Sequence, residues 1–157
     1  MPIIIEGPDG AGKSTLAADL ADACGLNILK MTLNGGQSAD EYTQKLSCKG
    51  IVMDRCWISE EIYAEFFGRE QRLPHSECEL LNEICAELDI PIVMVLPPRY
   101  VVMSRLYSRG DEHSEVIKNI DGIYDKYKEY ARAHDQIIVV DDSKVDQVLK
   151  GVAKWLL

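Results

Sequence analysis

The chain has 157 residues, with 17 Lys and Arg against 26 Asp and Glu, a formal net charge of −9 and 46% hydrophobic residues. That is the size of one domain with one core, and so acidic a balance argues against a broad nucleic-acid or anionic-membrane surface, which needs clustered Lys and Arg. No apolar run reaches the length of a membrane span, the start Met1-Pro2-Ile3-Ile4-Ile5-Glu6 lacks a basic leader, and cysteines at 24, 48, 56, 78 and 85 include no C-x-x-C pair, so the expectation is a cytoplasmic protein with reduced, mostly buried thiols.

Ile3–Glu6 reads as a buried strand. It runs into Gly7-Pro8-Asp9-Gly10-Ala11-Gly12-Lys13-Ser14, an unbroken G-x-x-x-x-G-K-[ST], and Thr15-Leu16-Ala17-Ala18-Asp19-Leu20 then opens a helix. Strand, glycine-rich turn and helix are the context a P-loop requires, because main-chain N–H groups and the positive end of the helix dipole must converge on phosphate oxygens. Lys13 adds a point charge for the β and γ phosphates, and the Ser14 hydroxyl can ligate Mg²⁺. Gly10, Ala11, Gly12, Lys13, Ser14 and Thr15 are therefore the expected contacts to ATP.

Gly25 stops the first helix, and Asn27–Met31 is the second strand. The third, Ile51–Asp54, ends in a carboxylate of Walker B form, placed either to hold Mg²⁺ or to cap the next helix. Arg55 can pair with that acid, or grip a phosphate with its planar fork of N–H groups. Trp57 offers a base-stacking platform or a packing residue.

Leu80, Leu81, Ile84, Cys85 and Leu88 recur at helical spacing, Pro91 leads into a fourth strand at Ile92–Leu96, and Pro97-Pro98 ends it before a helix beginning near Arg99. Arg105 and Arg109, four apart on that helix, either project toward a transferring phosphoryl group or form a solvated basic face. Val116, Ile120, Ile123, Tyr124 and Tyr127 mark a further helix, Gln136–Val140 a fifth strand, and Val145, Val148, Leu149, Val152 and Trp155 a last helix. His75, His113 and His134 stand singly and read as surface or structural residues. Strands alternating with helices make an α/β fold, a five-stranded parallel sheet with helices on both faces. Ligands in such sheets bind beyond the carboxyl ends of the strands, so Asp9, positions 32–37, Asp54–Trp57, Pro97–Arg99 and positions 141–143 should line one rim.

Glu6-Gly7-Pro8-Asp9-Gly10-Ala11-Gly12-Lys13-Ser14-Thr15, together with Asp54-Arg55-x-x-x-Ser59-x-x-x-Tyr63, resembles the thymidylate kinase family of P-loop nucleoside monophosphate kinases, in a short form similar to those that viruses encode. Leu96-Pro97-Pro98, Arg105-x-x-x-Arg109-Gly110 and the helix through Tyr124, Tyr127 and Tyr130 resemble that family's fourth strand, lid and following helix. The resemblance implies a single P-loop kinase domain over 1–157 that moves the γ-phosphoryl of ATP, with Mg²⁺, to a deoxynucleoside monophosphate such as dTMP, and commonly a homodimer. It implies that Arg55 binds the acceptor phosphate, that Asp9 approaches the acceptor 3′ hydroxyl and that Tyr63 lies near the deoxyribose. Lys13, Arg55, Arg105 and Arg109 are the expected catalytic groups, Asp9, Arg55, Trp57 and Tyr63 the acceptor site, and Ser14 with Asp54 the metal site.

The chain departs from that family at Met31-Thr32-Leu33-Asn34-Gly35-Gly36, where an arginine and a carboxylate are missing, and in the short stretch from Gly36 to Asp54. A deoxynucleoside kinase is the nearest alternative, but its neutral hydroxyl acceptor wants a carboxylate base after the second strand, where this chain has Lys30-Met31-Thr32. A GTPase switch would carry an Asn-Lys-x-Asp motif, which is absent, and a non-catalytic nucleotide-binding module would not need Lys13, Ser14, Asp54 and Arg55 all intact.

Overall fold

The computed structural model describes residues 1–31, 38–110, 114–141 and 145–156. Five strands, β1 (Ile3–Glu6), β2 (Asn27–Lys30), β3 (Ile51–Asp54), β4 (Ile92–Val95) and β5 (Ile137–Val140), form one sheet in the order β2-β3-β1-β4-β5. Every pairing is parallel, with Ile4 opposite Met53 and Ile92, and Val93 opposite Ile138. Seven helices connect and flank them: α1 (Lys13–Cys24), α2 (Ala39–Leu46), α3 (Trp57–Phe66), α4 (His75–Glu87), α5 (Arg99–Arg109), α6 (Ser114–Ala133) and α7 (Val145–Leu156). This is the expected P-loop kinase fold, with each strand starting and ending within a residue of its sequence-derived position.

The apolar runs are continuous because both sheet faces are covered, as parallel sheets require. Side chains alternate along a strand, so Ile3 and Ile5 enter a core with Leu16, Leu20, Val148 and Val152 of α1 and α7. Ile4 enters the opposite core with residues of α2 to α6, among them Leu46, Ile58, Leu81, Val102 and Tyr127. Two cores back to back hold β1 and its P-loop at the centre of the molecule. β2 is an edge strand, and Ile28 on it is half-exposed.

Two local features differ from the sequence reading. The 39–46 segment forms α2, opened by a complete capping box in which the Ser38 hydroxyl accepts the Glu41 N–H at 3.3 Å and the Glu41 carboxylate accepts the Ser38 N–H at 3.1 Å. The signal Ser38-Ala39-Asp40-Glu41 is legible once sought. On α4 the inward stripe is Cys78, Leu81, Asn82 and Cys85, whereas Leu80 and Leu88 are half-exposed. The stripe is turned because Asn82 is drawn inward as the partner of a buried indole N–H.

All five cysteines are free thiols; Cys56, Cys78 and Cys85 are buried, Cys24 is partly covered and Cys48 is exposed. His75 is exposed and pairs with Glu61, His134 stacks on Tyr130 at 4.3 Å, and His113 lies outside the described residues. Among the described residues no helix is long and apolar enough to cross a membrane.

Candidate active site

β1 delivers the chain into the P-loop, and the loop's path is set by close contacts on both sides. A Cβ on Gly7, whose φ is +147°, would lie 2.5 Å from the Val95 carbonyl oxygen of β4. A Cβ on Gly10, at φ +82°, would lie 2.9 Å from the Val102 carbonyl oxygen and 3.0 Å from Leu106 of α5. Glycine is required where the loop presses on its neighbours in this left-handed conformation. α1 then begins after Gly12 with no side-chain cap and no acid in its first turn. Its first N–H groups thus remain available to an anion.

The Lys13 side chain is 5% exposed; its Nζ donates to the Pro8 carbonyl at 2.8 Å and lies 3.9 Å from Asp9 Oδ1. Burial, helped by the Arg55 charge, lowers its pKa from 10.5 to about 8 against the pull of Asp9, Glu6 and Asp54. Asp9 is ion-paired with Arg55 as well. Burial pushes the Asp9 carboxyl up, but Arg55 and Lys13 together outweigh that and hold it below its ordinary range. Arg55 and Lys13 therefore both reach the same oxygen of one carboxylate at the mouth of the loop.

Arg55 is placed by an unusual backbone. Its φ is +79°, uncommon for a residue with a side chain. The Arg55 N–H donates to the Ile5 carbonyl at 2.9 Å, the Cys56 N–H to Glu6 Oε2 at 3.0 Å, and the left-handed turn swings the guanidinium toward the P-loop. The Tyr63 ring lies 5.8 Å beneath that guanidinium, and the Tyr63 hydroxyl accepts the Asp9 N–H at 3.0 Å. Tyr63 is 2% exposed, so its direct contact is with the loop backbone.

The alternatives open for Asp54 are narrowed by its partners. The Ser14 hydroxyl donates to Asp54 Oδ2 at 2.7 Å, and no hydrogen bond ties Asp54 to a helix N-terminus. Its Oδ1 is buried with no partner. An orphaned carboxylate oxygen beside a serine hydroxyl fits a hard divalent cation, which takes oxygen ligands.

Trp57 is not a stacking platform. It is fully buried, its Nε1 donates to Asn82 Oδ1 at 2.9 Å, and Tyr42 of α2 packs edge-on at 5.3 Å. Both faces are enclosed, because α3 starts at this residue and rolls its first side chain under the sheet. The two arginines of α5 also part company. Arg105 is half-buried and its Nη1 donates to the Gly10 and Ala11 carbonyls at 3.2 and 3.1 Å, whereas Arg109 is exposed at the end of α5. Thr15 is exposed in the first turn of α1. Beyond the ends of β4 and β5 a cleft of about 460 Å³ opens between Pro97, Pro98, Tyr100, Arg105, Asp141 and Gln147. Positions 32–37, 142 and 143, expected on the same rim, and 111–113, expected in a lid, lie outside the described residues.

Glu6, the last residue of β1, carries no motif signal of its own beyond standing before Gly7, yet it is 0% exposed at the centre of this constellation. Its carboxylate accepts the Gly7 N–H, the Cys56 N–H and the Ser59 and Tyr127 hydroxyls.

No protein-family model matches the chain, and no curated protein matches it by sequence. Solved structures do share its fold. The YorR protein of Bacillus subtilis, solved in complex with phosphorylated GDP, superposes with a TM-score of 0.80 at 23% identity over 99% of this chain and 95% of that one. Deoxyadenosine kinase from M. mycoides with bound dCTP superposes with a TM-score of 0.63 at 18% identity over 99% and 98%. The same kinase with bound dATP gives 0.62 at 16% over 98% and 99%.

Proposed function

We propose that the protein is a nucleotide kinase that transfers the γ-phosphoryl group of ATP to the phosphate of a deoxynucleoside monophosphate, dTMP before others. The observation that carries this reading is the state of the carboxylates. Glu6 accepts from five groups, the Gly7 and Cys56 N–H, the Cys56 thiol and the Ser59 and Tyr127 hydroxyls; Asp54 takes the Ser14 hydroxyl and its one open oxygen is buried where a cation would sit; and Asp9 is paired with Arg55 and held ionised, so among the described residues of the site no carboxylate is placed as a base for an acceptor hydroxyl. A hydroxyl acceptor needs its proton removed, but a phosphate acceptor is already ionised. The two cations that reach Asp9 suit two phosphate groups brought together, and phosphoryl transfer asks chiefly for positioning and charge neutralisation.

In this reading Lys13 and the α1 N-terminus hold the donor phosphates, with the donor base in the cleft beside Tyr100 and Arg105. Arg55 holds the acceptor phosphate; Asp9, its ion-pair partner, yields it to the phosphate and turns to the acceptor sugar. Arg105 steadies the P-loop through the carbonyls of Gly10 and Ala11. Ser14 and Asp54 would hold Mg²⁺, which supplies charge neutralisation on the β- and γ-phosphate oxygens. A cytoplasmic location belongs to the same reading, as does a homodimer.

A deoxynucleoside kinase is the second reading, favoured by the likeness to a protein named deoxyadenosine kinase. Incubation with ATP, Mg²⁺ and each deoxynucleoside or its monophosphate separates the two. Turnover of dTMP with none of thymidine is expected. Turnover of deoxynucleosides but not monophosphates would overturn the proposal, as would ATP hydrolysis that no acceptor stimulates.

A further inference from the structure

The buried Glu6 carboxylate is not used in that scheme, and the direction of its hydrogen bonds shows what it does. An ionised carboxylate is acceptor-only, with about four lone-pair sites. Gly7 N–H fills one on Oε1 at 2.8 Å and Cys56 N–H one on Oε2 at 3.0 Å, while the Tyr127 hydroxyl lies 3.3 Å from Oε1 and the Ser59 hydroxyl 2.8 and 2.7 Å from the two oxygens. Ser59 has one proton, and Glu6 takes it. The remaining lone pairs of Ser59 Oγ then face Arg55, whose Nη1 donates at 3.2 Å while Nη2 reaches Asp9. Protons therefore point one way along a chain from Arg55 through Ser59 to Glu6, and each link polarises the next.

Glu6 grips Arg55 a second time through the backbone, because the Cys56 N–H that it accepts immediately follows the left-handed residue. Tyr127 touches Glu6 and Ser59 from α6 and packs edge-on against Tyr63, with no hydrogen bond between it and Arg55 among the described residues. A guanidinium on a long side chain has many rotamers, and two fixed acceptors on different elements select one of them. We infer that Ser59 and Glu6 are positioning residues for Arg55, Glu6 acting through the Ser59 hydroxyl, and that they hold its free N–H groups toward the acceptor phosphate. The inference rests on the reading of Arg55 as the acceptor-phosphate ligand.

Calorimetric binding of dTMP and of a non-hydrolysable ATP analogue to the full chain, with thermal unfolding alongside, tests it. Ser59→Ala should weaken dTMP by about tenfold, as expected for one lost hydrogen bond to a charged group, while ATP-analogue affinity stays within twofold. Tyr127→Phe, which removes a hydroxyl that touches Glu6 and Ser59 but leaves the Arg55–Ser59 and Ser59–Glu6 hydrogen bonds in place, should lower the unfolding temperature yet keep the ratio of the two affinities. In an Arg55→Ala background Ser59→Ala should cost dTMP affinity nothing further. If Ser59→Ala fails to fold, Glu6→Gln reads the chain from its other end, and again dTMP must lose more than the ATP analogue. Ser59→Ala weakening both ligands equally, or behaving like Tyr127→Phe, overturns the inference while leaving the kinase reading in place. Arg55→Ala with undiminished dTMP affinity overturns the assignment of Arg55 and this inference with it.

Discussion

Lys13 is a buried charge that the fold holds at a cost. Its side chain is 5% exposed, and the drop in pKa from 10.5 to about 8 corresponds to about 3 kcal/mol of disfavour for the ammonium on folding. Replacing it by Met keeps the apolar stem and removes the charge, but it also removes the hydrogen bond to the Pro8 carbonyl, worth about 1 kcal/mol. Lys13→Met should therefore stabilise the ligand-free protein by about 2 kcal/mol at pH 7, which for a chain of this size is roughly 4–8 °C, while abolishing phosphoryl transfer. The sign with pH follows from linkage: the folded state binds this proton more weakly than the unfolded state. Wild-type stability should consequently rise relative to the variant between about pH 8 and 10.5. Thermal unfolding of both proteins at pH 7 and pH 10 measures it, because the Asp9 carboxyl, the neighbour that Lys13 holds down, titrates well below that range. The gap should close toward pH 10. A variant no more stable than wild type at pH 7, or a gap of the same size at both pH values, would refute the reasoning.

Arg55→Ala should weaken dTMP by about 10–100-fold through loss of charge-assisted hydrogen bonds, with donor affinity within about threefold; equal losses for both ligands in a binding titration would contradict the two-sided site. Gly10→Ala places a side chain at φ +82° and a Cβ against the Val102 carbonyl. The left-handed backbone costs roughly 1–2 kcal/mol and the clash about as much again, so a denaturant midpoint unchanged from wild type would mean that α5 does not press on the loop as described.

The strands, the P-loop and the Asp54-Arg55 pair are legible in the sequence because each rests on short-range physics. Short apolar runs bounded by Gly and Pro and rich in β-branched residues favour strands, and a glycine-rich turn between strand and helix has few other uses. α2 was written there too, in its capping box. Trp57 shows where such reasoning stops: a tryptophan after a strand end suits a ligand or a core equally, and the choice fell to Asn82 and Tyr42, which come from two other helices.

What only the tertiary structure decided follows the same division. Glu6 looks like the polar end of a strand, and its importance comes from Cys56, Ser59 and Tyr127, which folding brings from β3, α3 and α6. Arg105 and Arg109 are equivalent in spacing, but only the former reaches the P-loop, because Gly10 lets α5 approach at that turn and not one turn later. The sequence by itself determined the sheet, the phosphate loop and the residue types at its rim, since backbone preference and hydrophobic periodicity act over a few residues. Which carboxylate is buried, which arginine is held and which aromatic is enclosed are set by contacts between distant segments, and those exist only once the two cores have closed around β1.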